Sequence, residues 1–562
     1  MRNILDGRKG IRKISRLHLA RQLCKVVTHV LSTRDYGDSI VKILSFKAGH
    51  DGHIVYVRDS ELIFSFEAEK DSKARYAGLS PEHYLRAFGC VTDFPDVVAL
   101  SGWFEGPGDV RTSVGSGYYG IDAVNSTDQM FLGRKIKTFS SSHERAHVMC
   151  SYGLSPWPQG QPCYALVYEG NIGAFYYVDS EVRIHKVGDV LTYPGRRYAF
   201  LYALADPKYA PDRTTLRAED PGKLMALAAY GRAGTVSPQQ RELIDIVLNA
   251  DVESIPNPKA HLSNSPYFNI GVESQEFKDL ARIHSEELLL RFMDYAKENL
   301  QAGLPLLISG GCGLNCDWNS AWRSSGQFSD VFVPPCTNDM GAGIGTAVDA
   351  MHFYSGEAKL RWNVYAGEEF LFDDADLSAF EASPLDYRHI AKCLHDGDVL
   401  AWVQGRCEIG PRALGNRSLL ASASSADMRT RLNRIKNREM FRPIAPVCLE
   451  EDLSKLFSPA TASPYMLFFQ EVLSDTIPAV THVDGTARAQ SVTEKQNPAL
   501  HRLLSEFKAI SGLGVLCNTS LNFSGAGFIN RLSDLIRYVC EHDIDGFVVA
   551  STFYRRKLAR KF

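Results

Sequence analysis

Between positions 41 and 66 the chain reads VKILSF, HIVYV, a polar RDSE and LIFSF, three short runs of β-branched and aromatic residues separated by tight polar breaks. Apolar and polar side chains alternate with period two, which suits a strand whose successive side chains face opposite ways and does not suit a helix. The fold therefore opens on a β-meander. Further along the period changes. A helix is expected at about 276–299, then a buried strand LPLLIS (304–309), a Gly pair, another helix, a strand DVFVPP and a Gly-rich helix from Asp339, an α/β order. Residues 355–385 are mixed and acidic and read as a linker. From 386 a separate α/β region follows, with strands VLAWV, GVLCNTS and DGFVVAS between helices. A chain of 562 residues exceeds what one core serves. The expected division is a basic N-terminal extension at 1–41, readable as one amphipathic helix, a first domain at 42–365 and a second at 366–562.

Several classes are excluded by composition. A net charge of −3 argues against a nucleic-acid binder that works through bulk positive charge. No run of 18 apolar residues occurs, so no membrane span is expected, and the start lacks the layout of a secretory signal. The twelve cysteines, many inside apolar segments such as QPCYALVYEG, show no paired CxxC spacing. They read as buried thiols of a cytoplasmic protein, not as a disulfide framework.

Three sets of residues carry chemistry. HERAH (143–147) matches His-Glu-x-x-His, placing two imidazoles on one helical face, with Ser residues before it as an N-cap. In a zinc protease the Glu would activate water. No further His follows at the metzincin spacing, and Glu169 lies in a turn-like YEGN and not on a helix, so the protease reading is weak. A better third ligand is Asp339, at the start of a Gly-rich helix after a buried strand. Two His and one carboxylate leave open positions, a pattern associated with Fe(II). Glu144 is then an ordinary solvated residue. Second, ISGGCGLNC puts Gly310 and Gly311 directly after a strand, where a phosphate or nucleoside can approach the backbone. Third, GRCEIGPRALGNRSLL, RLNRIKNREMFRPIAP, VDGTARAQ and CNTSLNFSGAG gather Arg406, Arg412, Arg417, Lys436, Arg438, Arg442 and Arg488 beside Gly, Asn and Ser, a composition suited to a phosphate-rich ligand.

HxxxH, SGGCGLN, TNDMGAGIG, GPRALGNRS, IKNREMFRPIAP, VDGTARAQ and NTSLN, in consistent order from about 42 to 555, resemble the O-carbamoyltransferases of natural-product and nodulation-factor pathways. SFKAGHDGHIVYV, FEAEKDS and DVVALSGW are most similar to the hydroxymethyl-cephem branch. The resemblance implies an α/β fold with an N-terminal actin/Hsp70-like (Kae1-like) domain and a C-terminal YrdC-like domain. It implies Fe(II) on His143, His147 and Asp339, and ATP with Mg2+ and carbamoyl phosphate as co-substrates forming carbamoyl-adenylate. Their binding falls to Gly310, Gly311, Asn315, Arg412, Arg417, Lys436, Arg438, Arg442, Arg488, Asn518 and Ser520. His50 and Asp51 stand on the acceptor side, and Asp220 completes the catalytic candidates. His53 occupies a place where the family commonly has small residues. The implied partner is a small-molecule hydroxyl substrate, with no nucleic acid and no membrane; a homodimer is compatible with this reading. The competing expectations are a threonylcarbamoyl-type tRNA enzyme and the HExxH metalloprotease.

Overall fold

In the computed structural model the described residues are 41–103, 115–210, 212–213, 216–249 and 257–557. The N-terminal extension, apart from Val41, lies outside them. The meander forms as expected: β1 (Lys42–Lys47), β2 (His53–Arg58) and β3 (Glu61–Glu67) pair antiparallel. β4 (Val97–Ser101), β5 (Val124–Phe131) and β6 (Arg134–Ser141) complete a six-stranded sheet in the order β3-β2-β1-β4-β6-β5, with β1, β4 and β6 mutually parallel. Parallel strands need both faces covered, and β1 shows how its sequence meets this. Ile43 faces one apolar cluster while Leu44 and Phe46 face another, closed by the Pro81–Gly89 helix.

A second sheet, ordered β11-β10-β7-β8-β9, is built from β7 (Cys163–Tyr168), β8 (Gly173–Val178), β9 (Ile184–Asp189), β10 (Leu306–Ser309) and β11 (Val331–Phe332). Its two faces separate in the same way. Cys163, Ala165 and Val167 join the first sheet's inner cluster, whereas Tyr164, Leu166 and Tyr168 pack with the long Gln275–Asn299 helix. Two helices, His143–Leu154 and Ala342–Ser355, therefore lie between the sheets and share one core with both. They approach so closely that a Cβ on Gly345 would stand 1.8 Å from the Ala146 carbonyl oxygen.

The C-terminal region holds β12 (Phe380–Pro384), β13 (Leu400–Val403), β14 (Arg417–Ser422), β15 (Ala445–Leu449), β16 (Phe457–Ser458), β17 (Gln470–Val472), β18 (Thr486–Ala487), β19 (Gln490–Val492), β20 (Val515–Ser520), β21 (Gly546–Val549) and β22 (Thr552–Arg556). Eight of them form a mixed sheet, β12-β22-β21-β13-β14-β20-β15-β19, and β16-β17-β18 a small one. Alternation again divides β13: Ala401 and Val403 face one core, Leu400 and Trp402 the other.

The stretch read as a linker is not one. Arg361 and Ala366 accept backbone hydrogen bonds from Leu62 and Ser65 of β3, Leu371 bonds to Asn530, and β12 takes an edge of the C-terminal sheet. Acidic composition concealed this, because the strap is held by backbone hydrogen bonds and by partners distant in sequence. The seam beside it is polar and buried. Glu67 Oε1 accepts from the Gly410 N–H at 2.7 Å, and Lys70 Nζ donates to the Gly410 carbonyl at 2.7 Å while pairing with Glu67 at 3.2 Å. Arg406 is committed to the same seam through the Ile63, Ala366 and Gly367 carbonyls, and so does not face a ligand. Residues 41–557 consequently form one compact unit. The cysteines among the described residues are free thiols, most of them buried. No helix among the described residues is long and apolar enough to cross a membrane.

Candidate functional site

Three serines at the end of β6 lead into the His143–Leu154 helix, where the Ser142 hydroxyl accepts from the Arg145 N–H at 3.1 Å and caps it. His143 and His147 then share a face, and their Nε2 atoms lie 3.0 Å apart. Asp339 Oδ1 is 3.5 Å from the first and 3.4 Å from the second. Ser309 Oγ, at the end of β10, holds His147 Nδ1 at 3.1 Å, which directs the other nitrogen to this point. Burial pushes the His143 imidazole down against the pull of Asp339. Burial would raise the Asp339 carboxyl, but His143 and Lys47 outweigh it and hold the group well below the usual carboxylate range. Two imidazoles and a carboxylate converging on one point fit a transition-metal cation.

Glu169 belongs to the same cluster: one of its oxygens and a donor atom each of His143, His147 and Asp339 lie within 4.8 Å of one another. Its place in a turn hid it. That turn follows β7, whose end abuts β10, and Glu169 is held there by the Tyr118 hydroxyl at 2.6 Å and the Ile172 N–H at 3.1 Å. Glu144 is not solvated. It is 2% exposed and accepts from the Gly120 N–H, the Tyr176 hydroxyl and Lys186. One residue on from His143 it points about 100° round the helix, and that face is covered by β8 and β9 instead of water. Its oxygens are spent on packing, and it is not among the donors of the cluster, so the protease reading fails here.

His50 and Asp51 follow β1 in a loop, with His50 Nδ1 3.2 Å from Asp51 Oδ2 and 4.0 Å from Asp339 Oδ2. His50 stacks on Tyr76 at 5.1 Å. Lys47, which the sequence reading passed over, lies beneath them: it is 1% exposed, its Nζ is 3.4 Å from Asp339 Oδ2 and 4.2 Å from the centre of the Trp103 ring, and it donates to the His50 carbonyl. The signal was present, since period two puts Lys47 on the inner face with Ile43 and Ser45. A charged residue there needs a partner. Asp220 is in neither donor cluster; its oxygens are paired with Arg217 at 2.7 Å and Lys223 at 3.4 Å. Gly310 belongs beside the donor cluster, because a Cβ there would meet the Tyr168 carbonyl at 2.4 Å and Glu169 Cβ at 2.8 Å. At Gly311 a Cβ would meet only open space.

A cavity of about 570 Å3 is lined on one side by the Asp220–Ala228 and Gln275–Asn299 helices and Asn315, and on the other by C-terminal segments. Arg412, Arg438, Arg442, Arg488, Asn518 and Ser520 line it, together with Arg75, Arg429 and His482, which sequence alone did not single out. Burial first, then neighbouring guanidiniums, pushes Arg412 and Arg438 down to about 9. Nε of Arg412 and of Arg488 are buried without partners. Like charges packed with idle donors make an anion site. Lys436 stands behind this wall, donating to the Ser520 carbonyl at 2.6 Å and to Asn522 Oδ1 at 2.6 Å. Arg417 is not part of the cavity lining. It points into the sheet from β14, fully buried, with its donors on Asn530 Oδ1 and the carbonyls of Gln404, Gly405 and Asn416.

The described residues of this α/β chain hold an arginine-lined cavity and a separate set of imidazole and carboxylate donors. The chain belongs to the carbamoyltransferase family: residues 121–348 match the carbamoyltransferase N-terminus model and residues 391–556 the carbamoyltransferase C-terminus model. It is 49% identical over 517 residues to a 3'-hydroxymethylcephem-O-carbamoyltransferase of Streptomyces clavuligerus, covering 92% of this chain and 99% of that one. The corresponding protein of Amycolatopsis lactamdurans is 46% identical over 92% of this chain and 99% of its own. Nodulation protein U of Rhizobium tropici is 33% identical over 87% and 92%. Among solved structures, full-length HypF in its phosphate- and nucleotide-bound form is similar at 13% identity, covering 57% of this chain and 56% of that one, with a TM-score of 0.29 that carries no argument.

Proposed function

We propose that this carbamoyltransferase is ATP-dependent and transfers to a hydroxyl of a natural-product small molecule. The observation that carries the reading is the coexistence, in one compact unit, of a cavity walled by guanidiniums and a separate cluster of imidazoles with carboxylates. In the cavity, carbamoyl phosphate gives up phosphate to water, and an oxygen of the resulting carbamate attacks the α-phosphorus of ATP, releasing pyrophosphate and leaving carbamoyl-adenylate. The arginines neutralise the phosphates, and Mg2+ arriving with ATP would share that role. At the second centre the acceptor hydroxyl loses its proton to His50 or Asp51 and attacks the carbamoyl carbon; AMP leaves and a carbamate ester remains. Asp220, held in its ion pairs, serves to fix the arginine beside it, not to take that proton. His143, His147 and Asp339, with Glu169 beside them, would hold a metal, Fe(II) being the expected ion, which would supply Lewis-acid polarisation of the carbamoyl oxygen. The named activity of the two cephem relatives supports a hydroxymethyl group on an antibiotic scaffold as acceptor. Kae1-like and YrdC-like architectures for 42–365 and 366–562 fit a division with two sheets and their shared helices on one side and a mixed sheet on the other. Incubation with ATP, carbamoyl phosphate and a 3'-hydroxymethylcephem should yield AMP and a product heavier by one carbamoyl group. AMP formation without any carbamoylated product, across a panel of hydroxyl compounds, would sink the acceptor class.

A further inference from the structure

We infer that His482 is a further substrate-binding residue, its Nε2 accepting a hydrogen bond from a primary amino group of a co-substrate in the arginine-lined cavity. This rests on the reading of that cavity as the place where carbamoyl-adenylate forms.

The tautomer follows from a chain of hydrogen bonds. His482 and Thr486 close a tight turn, in which the His482 N–H donates to the Thr486 carbonyl at 2.8 Å and the Gly485 N–H to the His482 carbonyl at 3.1 Å. Within it Asp484 Oδ1 accepts from the Thr486 N–H at 3.0 Å and from the Thr486 hydroxyl at 2.7 Å. A hydroxyl has one proton, and Thr486 has given it to the carboxylate. At the 3.1 Å contact between Thr486 Oγ1 and His482 Nδ1 the proton therefore belongs to the imidazole. With Nδ1 protonated, a neutral ring presents Nε2 as a bare lone pair. The ring is neutral, because burial above all, then Arg488 and Arg429, pushes it down to about 4 against the pull of Asp484. The Phe469 ring packs edge-on at 5.1 Å and fixes its plane.

That lone pair is buried, has no partner, and belongs to a residue of the cavity wall. Its setting is the unusual part. The wall is dominated by guanidinium donors, which serve phosphate oxygens, and a phosphate offers an acceptor nothing in return. No guanidinium donates to it in the structure. An acceptor among donors is matched by a ligand that carries a donor of its own. A second such acceptor is present: Asn518 Oδ1 is buried without a partner while its amide N–H groups go to the Ala413 carbonyl at 3.1 Å and Gln490 Oε1 at 2.9 Å. A primary amino group has two N–H donors for such acceptors. Both co-substrates carry one, carbamoyl phosphate on its carbonyl carbon and ATP on its adenine.

The test uses full-length protein and follows ATP–pyrophosphate exchange dependent on carbamoyl phosphate, in the unsubstituted chain and in His482→Ala, His482→Gln and Thr486→Val. Discrimination for the adenine amino group is the ratio of kcat/KM for ATP to that for purine riboside triphosphate, which has hydrogen in its place. Discrimination for the carbamoyl amino group is the Ki of acetyl phosphate, with methyl in its place, over the KM of carbamoyl phosphate. One of the two ratios should fall about tenfold in His482→Ala, the size expected when a buried acceptor loses its donor, and the ratio that falls names the amino group. Gln, whose Oε1 can stand near the Nε2 position, should keep most of it. Thr486→Val, which releases the tautomer without touching ligand, should lose the same ratio more weakly. Both ratios unchanged in His482→Ala and in Thr486→Val, with exchange intact, overturn the inference alone. No exchange in the unsubstituted protein would instead sink the adenylation reading, and the inference with it.

Discussion

His143, His147 and Asp339 were legible in the sequence because a helix repeats every 3.6 residues and a Gly-rich helix start after a strand is a recognisable place for a ligand. Glu169, Glu144 and Lys47 were not read correctly, for one shared reason. Which face of an element is covered depends on partners distant in sequence: β8 and β9 cover Glu144, β10 brings Glu169 in, and Asp339 offsets Lys47. The same holds for Arg417, whose GNRS context looks like a ligand loop but whose side chain faces into the sheet. At this scale two predictions follow from the donor set and the arginines. His147→Ala should lose bound iron by metal analysis, about one equivalent per chain being expected in the unsubstituted protein; full retention in a folded variant would remove this helix from the metal site. Arg442→Ala should abolish ATP–pyrophosphate exchange, falling on the order of 100-fold or more, yet still transfer from supplied carbamoyl-adenylate. His143→Ala should form the adenylate but not deliver it. Equal loss of both half-reactions in each variant, with matched melting curves, would mean that one shared site does all the chemistry.

Elements were the most legible level. The meander, the Gln275–Asn299 helix, β13, β20 and β21 of the C-terminal sheet and the Gly-rich helix fall where the sequence pattern put them. What periodicity could not state was that the His-bearing helix and the Gly-rich helix touch, or how closely. Gly345 is the reason they can, and it looks like any other glycine in TNDMGAGIG. Gly345→Ala should destabilise the protein by about 3 kcal/mol through overpacking. Because the two helices carry the His pair and follow Asp339, it should also weaken metal binding. Denaturant unfolding and metal analysis on one preparation test this. A variant of unchanged stability would show that the helices can part without cost.

At the scale of the whole molecule, composition misdirected the reading of 355–385, and the strap there has a measurable consequence. Glu368 on that strap pairs with Arg86 at 2.5 Å, but Arg86 also serves Asp71, and burial pushes the Glu368 carboxyl up to about 7 despite it. A raised carboxyl means that the folded state keeps a proton the unfolded chain has released between about pH 4.5 and 7. Its stabilisation is therefore complete below that window and lost as pH rises through it. Glu368→Gln cannot titrate, so the decline in stability between pH 5 and 7 should flatten in that variant. An identical slope would place this carboxyl at its ordinary value.

Gly410 is gripped from the opposite half at both its N–H and its carbonyl, and the Lys70 ammonium that holds the carbonyl also sits 3.7 Å over the Phe528 ring. Cutting the chain at 365 would strand Glu67 and Lys70 on one fragment and leave their acceptor, donor and aromatic cover on the other. Expressed alone, 41–365 and 366–562 should each be insoluble, and co-expressed they should reassemble; a soluble 366–562 with a cooperative melt of its own would contradict this. On the proposed reaction, point substitutions should silence one half-reaction at a time, whereas loss of either half of the chain should abolish both.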